Sequence, residues 1–203
     1  GLSGAGDVDG DGRGDFLIGA YGNDDGGSFS GKTYLFFGGE LSSSGTYSLN
    51  QADYSFIGED STDASGYAVA SAGDVDGDGL DDILIGAYGN DEVTSNAGRA
   101  YLIYASSLGA DSEFDLRDAD YAFDGVNKND YAGKAVASAG DVDGDGLDDL
   151  LIGAWGNDEG ASNAGMVYVV LAASLGSQDE ISLDAADHHI QGESTSSAAG
   201  IAL

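Results

Sequence analysis

Three segments of this chain place carboxylates where they could share one cation. The run Gly-Asp-Val-Asp-Gly-Asp-Gly begins at Gly6, Gly73 and Gly140. It opens loops over residues 7–15, 74–82 and 141–149. Aspartates fill loop positions 1, 3, 5 and 9 in each: Asp7, Asp9, Asp11 and Asp15; Asp74, Asp76, Asp78 and Asp82; Asp141, Asp143, Asp145 and Asp149. Glycines at positions 4 and 6 let the backbone wrap a small ion. Calcium takes about 6–8 oxygen ligands in a flexible shell. Four carboxylates, a water and the backbone carbonyl of position 7 (Arg13, Leu80 and Leu147) meet that demand. Magnesium keeps more of its waters and takes fewer protein ligands. Two like charges ~4 Å apart repel by roughly 1 to 4 kcal/mol, depending on the local dielectric. The expectation is therefore Ca²⁺ in every loop, three ions per chain, stabilising the turns that hold them. Asp-Gly runs also form plain turns, but three copies in register, each with all four aspartates, exceed what a turn needs. An EF-hand loop would require a bidentate Glu at position 12 and flanking helices. Position 12 here is Ile18, Ile85 or Ile152, inside an apparent strand.

The elements that position these loops are themselves repeated. The loops recur every 67 residues, and the likeness runs further. Residues 16–24 align with 83–91 and 150–158, Asp53 with Asp120 and Asp187, and Gly58 with Gly125 and Gly192. Three such periods fill residues 1–203 as one domain, divided at about 1–67, 68–134 and 135–203. Each repeat reads as four short strands. In the middle copy these are residues 66–72, 83–87, 99–105 and 121–124. The first carries small residues in alternation, Ala68, Ala70 and Ala72. The second is a continuous apolar run, which suits burial on both faces. No stretch has a helical period with caps. The fold class is all-β: four-stranded antiparallel units whose small-residue strands can converge on an axis.

Composition narrows the partners. The chain has 37 acidic residues against 6 basic ones, a formal net charge of −31. Nucleic acid is excluded as a partner, because phosphate recognition needs clustered Lys and Arg. Three Ca²⁺ would offset only six of those charges, so adaptation to a saline medium is a second explanation of the acidity. No cysteine is present, which removes disulfides and thiolate metal sites. No segment approaches the ~20 apolar residues of a membrane span. No signal peptide is evident; a removed leader or a longer parent protein would both account for that.

The loops and their setting resemble FG-GAP repeats, the blades of integrin α-subunit propellers. In that family a Phe-Gly-like pair precedes strand one, a D-x-D-G-D-G-x-x-D loop follows it, and Gly-Ala-Pro closes strand two. The first pair stands here as Ser65-Gly66, Ala132-Gly133 and Ala199-Gly200, and the last as Gly19-Ala20-Tyr21, Gly86-Ala87-Tyr88 and Gly153-Ala154-Trp155. The aromatic and the proline of the family pattern are replaced; the calcium loop matches in full. The resemblance implies a β-propeller with calcium loops on one face. It places ligand binding on the other, over residues 23–31, 90–98, 157–165, 58–66, 125–133 and 192–200. Propellers close with about 4–8 blades, so three cannot close alone. Residues 198–203 match the first half of strand one and residues 1–6 its second half. Two chains meeting head to tail would give a six-bladed ring; a longer parent propeller is the alternative.

Other residues invite functional readings that their positions weaken. Arg13-Gly14-Asp15 spells an integrin-recognised tripeptide, but Asp15 is a loop ligand. His188 and His189 fall in strand four and point to opposite faces, so a shared metal is not expected. Tyr21, Tyr88 and Trp155 share one repeated position, where packing between blades is expected ahead of ligand stacking. No nucleophile–base set recurs. The reading is a calcium-binding β-propeller acting as an extracellular or cell-surface binding or adhesion module, with a protein or glycan ligand. A polysaccharide- or lipid-acting enzyme with its site at the channel mouth is the alternative, and a structural repeat scaffold a further one. Close copying between repeats favours binding, since one catalytic site needs unlike residues from different blades.

Overall fold

The computed structural model describes residues 1–42 and 44–203. The first sheet contains β1 (Leu2–Gly6), β2 (Asp15–Ala20), β3 (Lys32–Phe36) and β4 (Tyr54–Ile57). The second contains β5 (Ala68–Gly73), β6 (Asp82–Ala87) and β7 (Arg99–Ile103), then β9 (Tyr121–Asp124). The third contains β10 (Ala132–Gly140), β11 (Asp149–Ala154) and β12 (Met166–Val170), then β14 (His188–Gln191). Within each sheet these strands pair antiparallel in chain order. The only helical elements among the described residues are 3-10 turns of three residues. These are three blades of a propeller.

The four-strand expectation needs one addition. β8 (Glu113–Asp115) leaves the second repeat and pairs parallel with β4. β13 (Glu180–Ser182) leaves the third and pairs parallel with β9. Blades one and two therefore have five strands, the fifth lent by the next repeat, and blade three has four. Three-residue strands carry too little pattern to announce themselves in sequence.

The core lies between the blades. Leu17, Leu35 and Phe56 of blade one pack with Ile83, Ile85, Tyr101 and Ile103 of blade two. Leu84, Leu102 and Phe123 of blade two pack with Leu150, Ile152, Tyr168 and Val170 of blade three. Successive strand residues face opposite sides, so Ile83 and Ile85 serve one boundary and Leu84 the other. This explains why every residue of β6 is buried. The inner strands come close because their neighbours lack side chains. A Cβ on Gly19, Gly86 or Gly153 would stand 1.9, 2.0 or 2.1 Å from the carbonyl oxygen of Gly66, Gly133 or Gly200.

The scarce basic residues also work at boundaries. Arg99 is buried, with its Nε 2.6 Å from Asp124 Oδ1 and its Nη1 3.3 Å from Glu59 Oε1 of the preceding blade. Lys32, its counterpart one repeat earlier, bonds Asp25 at 2.9 Å and Glu113 of β8 at 3.3 Å.

Candidate metal centre

Each aspartate loop joins the first two strands of its blade and begins at a bulge. The β1–β2, β5–β6 and β10–β11 registers shift between Gly4 and Gly6, Ser71 and Gly73, and Ser138 and Gly140. Gly6, Gly73 and Gly140 sit at φ of +80°, +79° and +70°, a region that suits glycine. The bulge turns the chain out of the sheet and into the loop.

The loop then folds around its own carboxylates. Asp7 Oδ1 accepts the Gly10 amide at 2.9 Å, and Asp7 Oδ2 accepts the Gly12 amide at 3.0 Å. Asp74 accepts from Gly77 and Gly79, and Asp141 from Gly144 and Gly146, in the same way. Position 3 accepts the amide of position 5: Asp9 from Asp11, Asp76 from Asp78 and Asp143 from Asp145, each at 3.0 Å. Position 5 accepts the amide of position 7: Asp11 from Arg13, Asp78 from Leu80 and Asp145 from Leu147.

Position 9 closes the loop from inside the sheet. Asp15 Oδ2 accepts the Val8 amide at 2.8 Å and its Oδ1 the Gly38 amide at 2.8 Å. Asp82 does the same with Val75 and Ala105, and Asp149 with Val142 and Ala172. Burial raises the Asp15 carboxyl above its ordinary value, against the lowering pull of the Gly38 and Val8 amides. Burial pushes Asp82 up to about 7, against the amides of Ala105 and Val75, with Asp76 and Asp78 adding repulsion.

Three carboxylates in every loop bring one oxygen each within 4.8 Å of one another. They are Asp7, Asp9 and Asp15 in the first, Asp74, Asp76 and Asp78 in the second, and Asp141, Asp143 and Asp149 in the third. Asp11, Asp82 and Asp145 complete the four aspartates of their loops but stand outside those trios. An all-oxygen donor set on a backbone bent by two glycines fits a hard divalent cation such as calcium.

The remaining residues singled out in the sequence fall as follows. Asp15 is buried and bonded, so Arg13-Gly14-Asp15 offers no free carboxylate, while Arg13 Nη1 reaches the Gly39 carbonyl at 3.3 Å. Tyr21, Tyr88 and Trp155 join an aromatic row that crosses the blades: Tyr21–Tyr67–Tyr88–Tyr131–Trp155, with successive ring centroids 5.5, 4.8, 6.2 and 5.3 Å apart. Lys134 Nζ stands 3.5 Å from the Tyr67 ring centre and 3.9 Å from that of Tyr88. His188 and His189 lie in β14, and His189 meets the Tyr168 ring edge-on at 5.1 Å. Asp53, Asp120 and Asp187 take the amides of Phe37, Tyr104 and Leu171 at 2.7, 2.7 and 2.8 Å, fixing the turn after strand three. Two further aspartates, Asp81 and Asp148, carry a single sequence signal, the doubled Asp before strand two, which Gly14 breaks in the first repeat.

Comparison with known proteins agrees with this architecture. A family model described as FG-GAP repeat matches residues 2–36, 65–103 and 132–170, together more than half of the chain. The chain is 33% identical over 100 residues to integrin alpha pat-2 of Caenorhabditis elegans and to its namesake in Caenorhabditis briggsae. The match covers 49% of this chain and 8% of either relative, so the chain spans a small part of the curated relatives it resembles. No helix among the described residues is long and apolar enough to cross a membrane. With three matched repeats standing on three propeller blades, the chain belongs to the FG-GAP repeat family.

Proposed function

We propose that the chain is part of a calcium-stabilised propeller that works as an extracellular or cell-surface adhesion module. The observation that carries this is the threefold convergence of carboxylate oxygens to within 4.8 Å in loops of one geometry. The ions would be held by Asp7, Asp9, Asp11 and Asp15, by Asp74, Asp76, Asp78 and Asp82, and by Asp141, Asp143, Asp145 and Asp149, with the carbonyls of Arg13, Leu80 and Leu147 completing each shell. Such an ion would hold the bulge and the strand-two aspartate in one geometry, and so set the angle between the inner strands of its blade. Extracellular calcium in the 10⁻⁴–10⁻³ M range suits modules of modest affinity, which favours a secreted or surface setting. Three repeats, at about 1–67, 68–134 and 135–203, would form one domain, and a protein or glycan ligand would bind the face opposite the loops. Likeness to integrin α chains supports a protein ligand.

Apolar side chains stand open at the ends of the arc, Leu2 at 78% and Ile190 at 55% exposure. Further FG-GAP blades would cover them, and head-to-tail pairing of two chains is one source. Light scattering in calcium tests it: about twice 20.4 kDa supports pairing, and a monomer contradicts it. Calorimetric titration of the chelator-stripped protein with calcium, and then magnesium, tests the metal reading. The expected result is three calcium ions per chain with weaker magnesium binding; no calcium uptake would overturn it.

A further inference from the structure

Asp81 and Asp148 sit at loop position 8, outside every carboxylate trio, yet each makes the same contact across a blade boundary. The Asp7 amide donates to Asp81 Oδ2 at 2.8 Å, and the Asp74 amide donates to Asp148 Oδ2 at 3.0 Å. Bonds return in the other direction. The Asp81 amide donates to the Asp7 carbonyl at 3.1 Å, and the Asp148 amide to the Asp74 carbonyl at 3.0 Å. The backbone of the first aspartate in one loop is therefore clamped, donor and acceptor, by a residue of the following blade.

The fit is close on either side of that clamp. A Cβ on Gly6 would stand 2.2 Å from Asp81 Cγ, and one on Gly73 would stand 2.1 Å from Asp148 Oδ2. Further along the loops, a Cβ on Gly10 or Gly77 would meet a methyl of Leu80 or Leu147 at 3.0 or 2.9 Å. The equivalent glycines of the third loop, Gly140 and Gly144, have nothing within 4 Å.

We propose that Asp81 and Asp148 are positioning residues for the metal loop of the preceding blade, coupling calcium binding in one blade to docking of the next. This rests on the calcium reading above. Asp7 and Asp74 each point both carboxylate oxygens inward to glycine amides of their own loop. Asp141 makes the same bonds without a clamp, so the clamp's part is to hold that geometry in place rather than to create it. A loop populating its binding geometry only part of the time binds with an affinity reduced by that fraction. By reciprocity, the ion strengthens the blade boundary by the factor that the boundary strengthens the ion. Gly14, the first repeat's residue at this position, has no carboxylate to offer, so the chain carries two clamps, one at each internal boundary.

The test uses the full chain, with the backbone amides of Gly10, Gly77 and Gly144 as separate NMR reporters of the three loops during a calcium titration. Asp81→Ala should move the Gly10 midpoint to about tenfold higher calcium, as for the loss of one charge-assisted bond. The Gly77 and Gly144 midpoints should stay in place. Asp81→Asn keeps an acceptor oxygen at the same reach and should restore most of the Gly10 affinity. In calcium-free protein, Asp81→Ala should also speed amide exchange at Asp7 and leave Asp74 unchanged. An unmoved Gly10 midpoint, or an equal shift at all three loops, would overturn the proposal while leaving the calcium reading intact. Reporters that ignore calcium in the unmutated protein would overturn the calcium reading and the proposal with it.

Discussion

The first two aspartate loops and the third share their four aspartates and two inner glycines but not one environment. Val8 and Val75, at loop position 2, are each 2% exposed, whereas Val142 is 54% exposed. Loops one and two lie under the edge of the following blade, which supplies Asp81 or Asp148 to the backbone and Leu80 or Leu147 to the surface. Loop three has no such cover among the described residues. Its internal hydrogen bonds are nonetheless those of the others, with one additional bond from the Asp145 amide to Asp141 Oδ1 at 3.0 Å. The difference separates two jobs. Local sequence shapes the loop, and the neighbouring blade holds it.

The largest effect expected is that of calcium removal. Binding to the folded state alone contributes about 2.7 kcal/mol per site at a hundredfold excess over the dissociation constant. Chelation should therefore lower the urea-unfolding free energy by several kcal/mol. If the clamps matter, hydrogen exchange should quicken more along β5 and β6, which carry a clamped loop and face a clamped boundary, than along β12 and β14. Uniform quickening would break the distinction.

Next comes the boundary itself. Ile85 is fully buried between blades one and two. Ile85→Ala should cost about 2–5 kcal/mol. It should weaken calcium binding at loop one, read at Gly10, and leave loop three, read at Gly144, as it was. Equal weakening at both would mean general destabilisation rather than coupling.

A matched pair of glycine variants sharpens the comparison further. Gly73 and Gly140 have nearly the same φ, +79° and +70°. Alanine at either pays a backbone cost of roughly 1–2 kcal/mol for a left-handed residue. Only at Gly73 would the new methyl strike Asp148. Gly73→Ala should thus be more destabilising than Gly140→Ala by about 1–3 kcal/mol, the usual cost of overpacking. Equal losses by thermal denaturation would argue against the close fit.

The smallest effect is on pH dependence. Asp63 is buried at the boundary of blades one and two and accepts the Asn90 side-chain amide at 3.0 Å. Burial raises its carboxyl from 3.8 to about 6, against the lowering pull of the Asn90 amide. The folded state then holds a proton that the unfolded chain releases at lower pH. Stability contributed by this residue is full below about 4 and is lost as pH rises through about 6. Asp63→Asn should flatten that part of the stability profile of calcium-free protein; an unchanged slope would show that Asp63 is not its source.

Much of this was legible in the residues. The 67-residue period, the four aspartates of each loop and the apolar run of strand two carry their meaning locally, because turn geometry and strand burial depend on near neighbours. Strands β6, β7 and β9 fall within a residue or two of where the pattern places them. What escaped was contributed by another repeat. β8 and β13 are three residues each and pair with strands of the preceding blade. Asp81 and Asp148 lie 74 residues from the amides they hold. Neither relation has a local pattern to betray it, although the Asp-Asp pairs at 81–82 and 148–149, set against Gly14-Asp15, marked the place. Asp53, Asp120 and Asp187 aligned in sequence, but the turn they fix only becomes visible once strands three and four are paired.

The most direct test is a calcium titration of the unmutated 203-residue chain, with the Gly10, Gly77 and Gly144 amides followed separately. All three should respond, and Gly10 and Gly77 should saturate at lower calcium than Gly144. Three coincident midpoints, or a Gly144 midpoint below the other two, would contradict the account.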